Sequence, residues 1–342
     1  MALLLGLLIF SFLTTAILIV PFINLLYKLR FQRGQQRTRD AFGKLTPIFN
    51  RFHSAKAGTP VGGGLLVMIV VAILFSIVFP LIRFVGVPIT EVYPLRDEVN
   101  ILFFTFIAFG LLGLYDDFMK FFGVDKKFFG LRLRHKFVIQ WILALIVALL
   151  LYVNLKIDIL NIPFVGVFKL GWWYVPFAAF TIVAFTNAFN ITDGLDGLAT
   201  GLLMIALFGF WVISASILDT PLSVFLTLWL GALIAFLYFN VYPARIFLGD
   251  VGALAFGATL AVVGLLLGKI LALVVIGGLF VIEITSSLLQ LTYKRFYGRK
   301  LFPVAPAHLW LQHIGWEEPK IVTRAWLGGI MLAIFGVWLD VI

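Results

Sequence analysis

Four short polar segments interrupt an otherwise apolar chain, and their residue types suit phosphate and divalent cations. The first is Leu114-Tyr115-Asp116-Asp117-Phe118-Met119-Lys120. Adjacent carboxylates repel and tend to share a proton or a cation, and a lysine three or four residues on lies over the same helical face. A solvated helix end with one ion pair would also explain this segment taken alone. The second runs from Asn187 to Ala199 and combines Asn187, Asn190, Asp193 and Asp196 with Gly194 and Gly197, without a Lys or Arg. Asp-Gly turns are common, but four oxygen-bearing side chains this close together suit a hard cation or a sugar. The third, Asn240 to Gly252, places Asp250 between two glycines at a helix start, where capping is the competing explanation. Phe247, just before it, could stack on a base, although in a chain with 37 Phe packing is the ordinary use. The fourth, Pro303 to Trp316, holds His308 and His313, two of only four histidines.

A basic loop precedes the second apolar run and ends Lys56-Ala57-Gly58-Thr59-Pro60-Val61-Gly62-Gly63-Gly64. Successive glycines permit close backbone approach and could leave helix N–H groups for an anion. No Lys-Ser/Thr follows them, so this is not a Walker A loop. Asp, Asn, Lys and His gathered on one membrane face are the inventory for magnesium-assisted phosphoryl transfer. Magnesium takes one or two carboxylates plus substrate phosphates, lysines add positive charge, and an uncommitted carboxylate can orient or deprotonate the attacking group.

The elements that must position these segments are membrane helices. Hydrophobic residues make up 62% of the 342, charged residues 12%, and mean hydropathy is +1.10. A soluble domain is closer to half apolar and a quarter charged, so a soluble or disordered chain is excluded. With no Cys, so are a disulfide scaffold and a zinc-thiolate site. Apolar runs fall at about 2–27, 61–84, 99–118, 137–153, 171–189, 199–217, 222–241, 251–268, 270–293 and 322–342. They are continuous rather than alternating, which predicts helices and not a barrel. The first run is too long, and lacks a preceding basic residue, for a cleavable signal peptide.

Ten crossings predict an all-α polytopic protein, a single membrane-embedded domain over 1–342. Alternating the loops puts 21 of the 26 Lys and Arg on one side and only Arg83, Arg96, Lys156, Lys169 and Lys269 on the other. The positive-inside rule makes the rich side cytoplasmic and both termini periplasmic. The net charge of +10 is thus mostly topology and calls for no nucleic acid. The segments above fall in or beside the cytoplasmic loops, at about 28–60, 116–136, 187–198, 240–252 and 294–321. Glu283 lies inside the ninth run, where a carboxylate is costly and has either a structural or a functional partner.

Asp116-Asp117-Phe118-Met119-Lys120, the Asn187–Ala199 run and Phe247-Leu248-Gly249-Asp250 resemble motifs of the polyprenyl-phosphate N-acetylhexosamine-1-phosphate transferases. Lys56 to Pro60, Ala305-Pro306-Ala307-His308 and Gly315-Trp316-Glu317-Glu318-Pro319-Lys320 resemble its bacterial branch, the phospho-N-acetylmuramoyl-pentapeptide transferases. The resemblance runs from about residue 28 to the end. It implies ten helices in a bacterial inner membrane, a site facing the cytoplasm, and dependence on Mg2+. It also implies that UDP-N-acetylmuramoyl-pentapeptide and undecaprenyl phosphate give lipid I and UMP. By the same resemblance Asp250 would bind the metal, Asp116 would be the base on the lipid phosphate with Asp117 beside it, and Asn190 and Asp193 would line the cleft near the diphosphate. Lys56, Asp196, Asn240 and Phe247 would hold the uridine, and Lys120 and Lys136 would meet phosphate or nucleotide. Asn187 joins the substrate-binding set, His308 the catalytic set, and a homodimer is the assembly suggested. Glu283 falls in a helix that the family bends near the cleft.

One departure concerns the histidine loop, where the family carries three consecutive histidines, an aromatic residue and an acid. Here His308 is followed by Leu309, Trp310, Leu311 and Gln312. Any role that needs the other two histidines is absent, which leaves room for a transferase acting on another UDP-N-acetylhexosamine. A transporter would also fit ten helices, but it would want polar groups at mid-membrane or on both faces.

Overall fold

The computed structural model describes residues 1–32, 56–84, 89–122 and 133–341. Much of the expected loops 28–60 and 116–136 therefore lies outside the described residues. In chain order the helices are α1 (Ala2–Lys28), α2 (Gly63–Phe84), α3 (Leu95–Phe122), α4 (Leu133–Val153), α5 (Tyr174–Thr192), α6 (Leu198–Ser216), α7 (Thr220–Asn240) and α8 (Gly249–Leu266). They continue as α9 (Ile270–Ile276), α10 (Gly278–Tyr297), α11 (Ala307–His313) and α12 (Glu318–Val341). Among the described residues, nine helices, α1 to α8 and α12, are long and apolar enough to cross a bilayer. Each begins and ends within a few residues of an expected run, because an 18-residue apolar stretch has no other way to satisfy its backbone in lipid.

Two features go beyond the pattern of apolar runs, the first of them a bend in the helix of Glu283, as the family resemblance implies. The run 270–293 is not one straight helix: α9 and α10 meet at a 78° bend, and they make a tenth crossing only if the pair counts as one. Composition hides the break, since both halves are apolar. Gly277 stands at it, and a Cβ there would lie 2.6 Å from the Phe185 ring and 2.8 Å from the Leu273 carbonyl. The second feature is an antiparallel hairpin between α4 and α5, of β1 (Ile159–Ile162) and β2 (Gly166–Lys169), with Ile159 opposite Lys169 and Ile162 opposite Gly166. Strands this short leave little periodic signal.

α8 is the hub of the bundle. It packs against α2, α3 and α5, and every residue from Val251 to Leu266 is buried. Without a hydrophobic force between helices in lipid, close packing and small residues hold such contacts together. A Cβ on Gly64 of α2 would fall 2.3 Å from the Gly252 Cα, and one on Gly113 of α3 would fall 2.1 Å from the Asp250 carbonyl oxygen. Deeper in the bundle Phe106, Phe225, Trp229 and Phe256 form a buried aromatic group with ring centroids 5.2–5.8 Å apart. α1 lies on α7 at the periphery, and α12 lies on α6 and α9. The glycines thus bring the end of α3 and the start of α8 into contact, which is where the acidic residues are.

Candidate active site

Asp116 and Asp117 occupy the penultimate turns of α3, and Asp250 is the second residue of α8. Gly249 makes this junction possible: its φ is +80°, and a side chain there would sit 2.7 Å from Asp117 Oδ2 and 2.9 Å from the Gly62 nitrogen. Lys120, one turn after Asp116, places its Nζ 3.0 Å from Asp116 Oδ2, 2.9 Å from Asp250 Oδ1 and 3.6 Å from Asp117 Oδ1. Lys136 of α4 reaches the same pair, with its Nζ 3.0 Å from Asp116 Oδ2 and hydrogen-bonded to Asp250 Oδ2. Three helices therefore deliver two carboxylates and two ammonium groups to one point. Asp117 plays a different part: it is fully buried, and its Oδ2 accepts the Val251 N–H at 3.1 Å, which caps the first turn of α8.

Asp250 also belongs to the wall of a cleft of about 200 Å³. The other polar side chains on that wall are Lys56, Thr59, Asn190, Asp193, Asp196 and Asn240, and Phe247 supplies an aromatic face. Asp193 closes α5 by giving its N–H to the Phe189 carbonyl at 3.0 Å. Enclosure in the cleft, followed by repulsion from Asp250, pushes its carboxyl well above the usual carboxylate range, while Lys56 opposes the shift. Asp196 accepts the Ala244 N–H at 2.9 Å. Asn240 takes the Thr200 hydroxyl at 2.8 Å and gives its amide to the Ile246 carbonyl at 3.0 Å. Both side chains thus also shape the loop that carries Phe247.

One expectation changes and two gain structural partners. The Gly62, Gly63 and Gly64 N–H groups are engaged by the carbonyls of Phe247 and Leu248 at 2.9–3.1 Å, so they tie that loop to α2 and are not offered to an anion. Lys56 is held 2.7 Å from Asp196 and 2.6 Å from Glu318, an internal counter-ion as well as a cleft residue. Asn187 gives its amide to Gln140 of α4 and to the Val183 carbonyl, both at 2.8 Å, and is not on the cleft wall.

His308 has an identified partner. Its backbone N–H reaches Glu283 Oε1 at 3.1 Å, and its ring Nδ1 lies 2.9 Å from Glu283 Oε2. That pairing answers the question of the acid inside the ninth run, since the bend at Gly277 aims α10 so that Glu283 meets α11. With Nδ1 engaged, Nε2 is the ring atom directed at the Asp193–Gly197 turn, so close that a Cβ on Gly194 would lie 2.5 Å from it. A carboxylate on one imidazole nitrogen fixes the tautomer and the orientation of the other. Glu283→Gln is expected to lower turnover about ten- to hundredfold, the size of a lost orienting partner. Single-turnover rates of the two proteins at equal melting temperature check this.

The donor set suits a hard cation. Among the described residues, no three His, Asp or Glu side chains are grouped as an all-protein cage, but magnesium needs only one or two carboxylates when phosphates supply the rest. Asp116 and Asp250 converge on shared ammonium groups, and Asp193 lies within electrostatic reach of Asp250. Asp250, with Asp116 or Asp193 beside it, could hold such an ion. Sequence reasoning missed the structural partners Gln140, Thr200 and Glu318, whose contacts span 40 to 262 residues of sequence and leave no local pattern.

Comparison with known proteins agrees with this geometry. The model of the family described as glycosyl transferase family 4 matches residues 99–268. A phospho-N-acetylmuramoyl-pentapeptide-transferase of Clostridium perfringens (strain SM101 / Type A) is 37% identical over 314 residues, covering 92% of this chain and 89% of its own. Proteins of the same name from Bacillus subtilis (strain 168) and Oceanobacillus iheyensis are 35% and 34% identical, covering 84% and 97% of this chain and 86% and 96% of theirs. Likeness of this degree along nearly the whole length, with the acidic and basic motifs gathered at one end of the bundle, means that the chain belongs to the phospho-N-acetylmuramoyl-pentapeptide transferase family of enzymes.

Proposed function

We propose that this membrane protein transfers phospho-N-acetylmuramoyl-pentapeptide from its UDP derivative to undecaprenyl phosphate, with Mg2+, at the cytoplasmic face of a bacterial inner membrane. The products are lipid I and UMP, and the place of the reaction is peptidoglycan synthesis. The carrying observation is the position of Asp250, shared between the cleft wall and the group of Asp116, Lys120 and Lys136. The nucleotide end of the donor occupies the cleft, with Phe247 against the base and Asp196 and Lys56 about it, so that its diphosphate lies at Asp250. The lipid phosphate approaches from the Asp116 side. Its oxygen forms a bond to the β-phosphorus as the bond from that phosphorus to the α-phosphate oxygen breaks, and UMP leaves with the electron pair.

Asp116 accepts hydrogen bonds at Oδ2 from both lysines, and it would hold or remove the proton of the lipid phosphate there. Lys120 and Lys136 place positive charge where the transferring group gains negative charge. Mg2+, when bound, neutralises the diphosphate and stabilises the departing nucleotide. His308, held at Nδ1 by Glu283, turns its Nε2 to the Asp193–Gly197 turn and would steady that turn against the donor. The charge sorting supports this orientation, since the loops at this end of the bundle belong to the side with 21 of the 26 basic residues.

A UMP-release assay in detergent tests the reading. With undecaprenyl phosphate and Mg2+, release is expected from UDP-N-acetylmuramoyl-pentapeptide and is lost on chelation. The loop Leu309-Trp310-Leu311-Gln312 favours a second reading, in which another UDP-N-acetylhexosamine is the donor. Release from UDP-N-acetylglucosamine alone would select that one.

A further inference from the structure

Glu318 opens α12 and is not on the cleft wall, yet two groups of the cleft converge on it. Its Oε1 accepts the Lys56 ammonium and the backbone N–H of Asp196, each at 2.6 Å. The same ammonium lies 2.7 Å from Asp196 Oδ1 and 3.4 Å from the Gly194 carbonyl. All three side chains are largely shielded from solvent, at 10%, 3% and 8% exposure for Lys56, Asp196 and Glu318. Two turns along α12, Trp326 gives its indole N–H to the Gly197 carbonyl at 3.2 Å. The last helix thus holds the Gly194–Gly197 turn at two adjacent residues, Asp196 and Gly197, while Lys56 reaches Gly194.

Lysine carries a compact charge on a flexible four-carbon stem, so its position is set by what it pairs with. Asp196 is itself held by Ala244 through its other oxygen. Without the Glu318 charge, the ammonium keeps one carboxylate instead of two, and without the side chain the N–H of Asp196 also loses the acceptor that Oε1 provides. Charge-assisted hydrogen bonds of this kind are the strong ones, and leaving one partner buried without the other is costly.

We propose that Glu318 is a positioning residue for the nucleotide end of the donor, acting through Lys56 and the Asp196 backbone without touching substrate. This rests on the reading of the cleft as the donor site. The Asp116–Asp250 group is built from α3, α4 and α8, whereas Glu318 belongs to α12 and its Oε1 is taken by Lys56 and the Asp196 N–H. The effect is therefore confined to ground-state binding of the nucleotide.

Glu318→Gln keeps an oxygen for the Asp196 N–H and removes the charge from Lys56, whereas Glu318→Asp keeps the charge and shortens the reach. Full-length protein in detergent with Mg2+ is expected to show a donor KM raised about tenfold by Glu318→Gln, the scale of one lost charge-assisted hydrogen bond. Its kcat stays within about threefold and its KM for undecaprenyl phosphate is unchanged, the pattern of lost uniform binding. The Kd for UMP alone, read by calorimetry without acceptor, rises by the same factor, and Glu318→Asp recovers part of it. A fall in kcat at unchanged donor KM overturns the proposal, as does a loss that tracks melting temperature in both variants. If wild-type protein binds UMP and turns over while Glu318→Gln matches it, only the positioning role fails. If wild-type protein neither binds UMP nor releases it from any UDP donor, the donor-site reading fails and this proposal with it.

Discussion

Asp250→Asn and Asp116→Asn are each expected to cut UMP release by about a thousandfold or more, since each removes charge from the point where the diphosphate and the divalent ion would meet. The fold should survive. Removing one partner of an isolated buried ion pair costs about 3–5 kcal/mol, but neither lysine is left without a carboxylate here. In Asp250→Asn both keep Asp116, and in Asp116→Asn both keep Asp250, with Asp117 also 3.6 Å from Lys120. Melting temperatures of the detergent-purified variants close to wild type, next to lost turnover, are the expected pair of results. Asp117→Asn should differ, because Asp117 caps α8 from a fully buried position. Retained turnover in both Asp116→Asn and Asp250→Asn would remove this group from the reaction.

Gly113→Ala is expected to damage the same centre without altering a charge. The added Cβ would lie 2.1 Å from the Asp250 carbonyl oxygen, 2.4 Å from its carbon and 2.6 Å from the Val251 nitrogen, all backbone atoms of a helix enclosed on every side. They cannot yield locally, so α3 and α8 must separate. Overpacking of this kind costs about 1–3 kcal/mol, and a displacement near 1 Å at a reacting centre costs about a hundredfold in rate. Gly110→Ala, one turn earlier on the same helix, is the control. Its Cβ would meet the Met68 Cε at 2.1 Å and Sδ at 2.6 Å, the far end of a flexible side chain that can swing aside. The helix-propensity gain of about 1 kcal/mol is common to both substitutions. Gly110→Ala should therefore melt and turn over near wild type, while Gly113→Ala loses stability and rate together.

These contrasts also mark what the amino-acid sequence made legible. Nine crossings were readable from apolar runs because lipid imposes length and composition on each helix separately. The Asp116–Lys120, Asn187–Asp196 and Phe247–Asp250 segments were readable because their polar residues are neighbours in the chain. What escaped was set by contacts between distant residues. The resemblance implied a bent helix around Glu283, but the place of the bend, at Gly277 against the Phe185 ring of another helix, leaves no mark in the apolar run. The occupation of the Gly62–Gly64 N–H groups depends on the 247–248 carbonyls, and the anchoring of Lys56 depends on a residue 262 positions away. Glu283 was visible as an acid at an expensive depth, but its purpose appears only when α11 brings His308 to it.

The encirclement of α8 has a consequence for handling the enzyme. Its side chains meet only other protein, whereas α1, α4 and α12 present most of their surface outward. Exchanging native lipids for a surfactant micelle therefore alters the surroundings of the outer helices first. The body of α8, packed between α2, α3 and α5, should hold its geometry when the rim loosens. Loss of activity on extraction should accordingly begin at the outer helices, α12 with its hold on Asp196 and Gly197 included, and reach the acidic centre last.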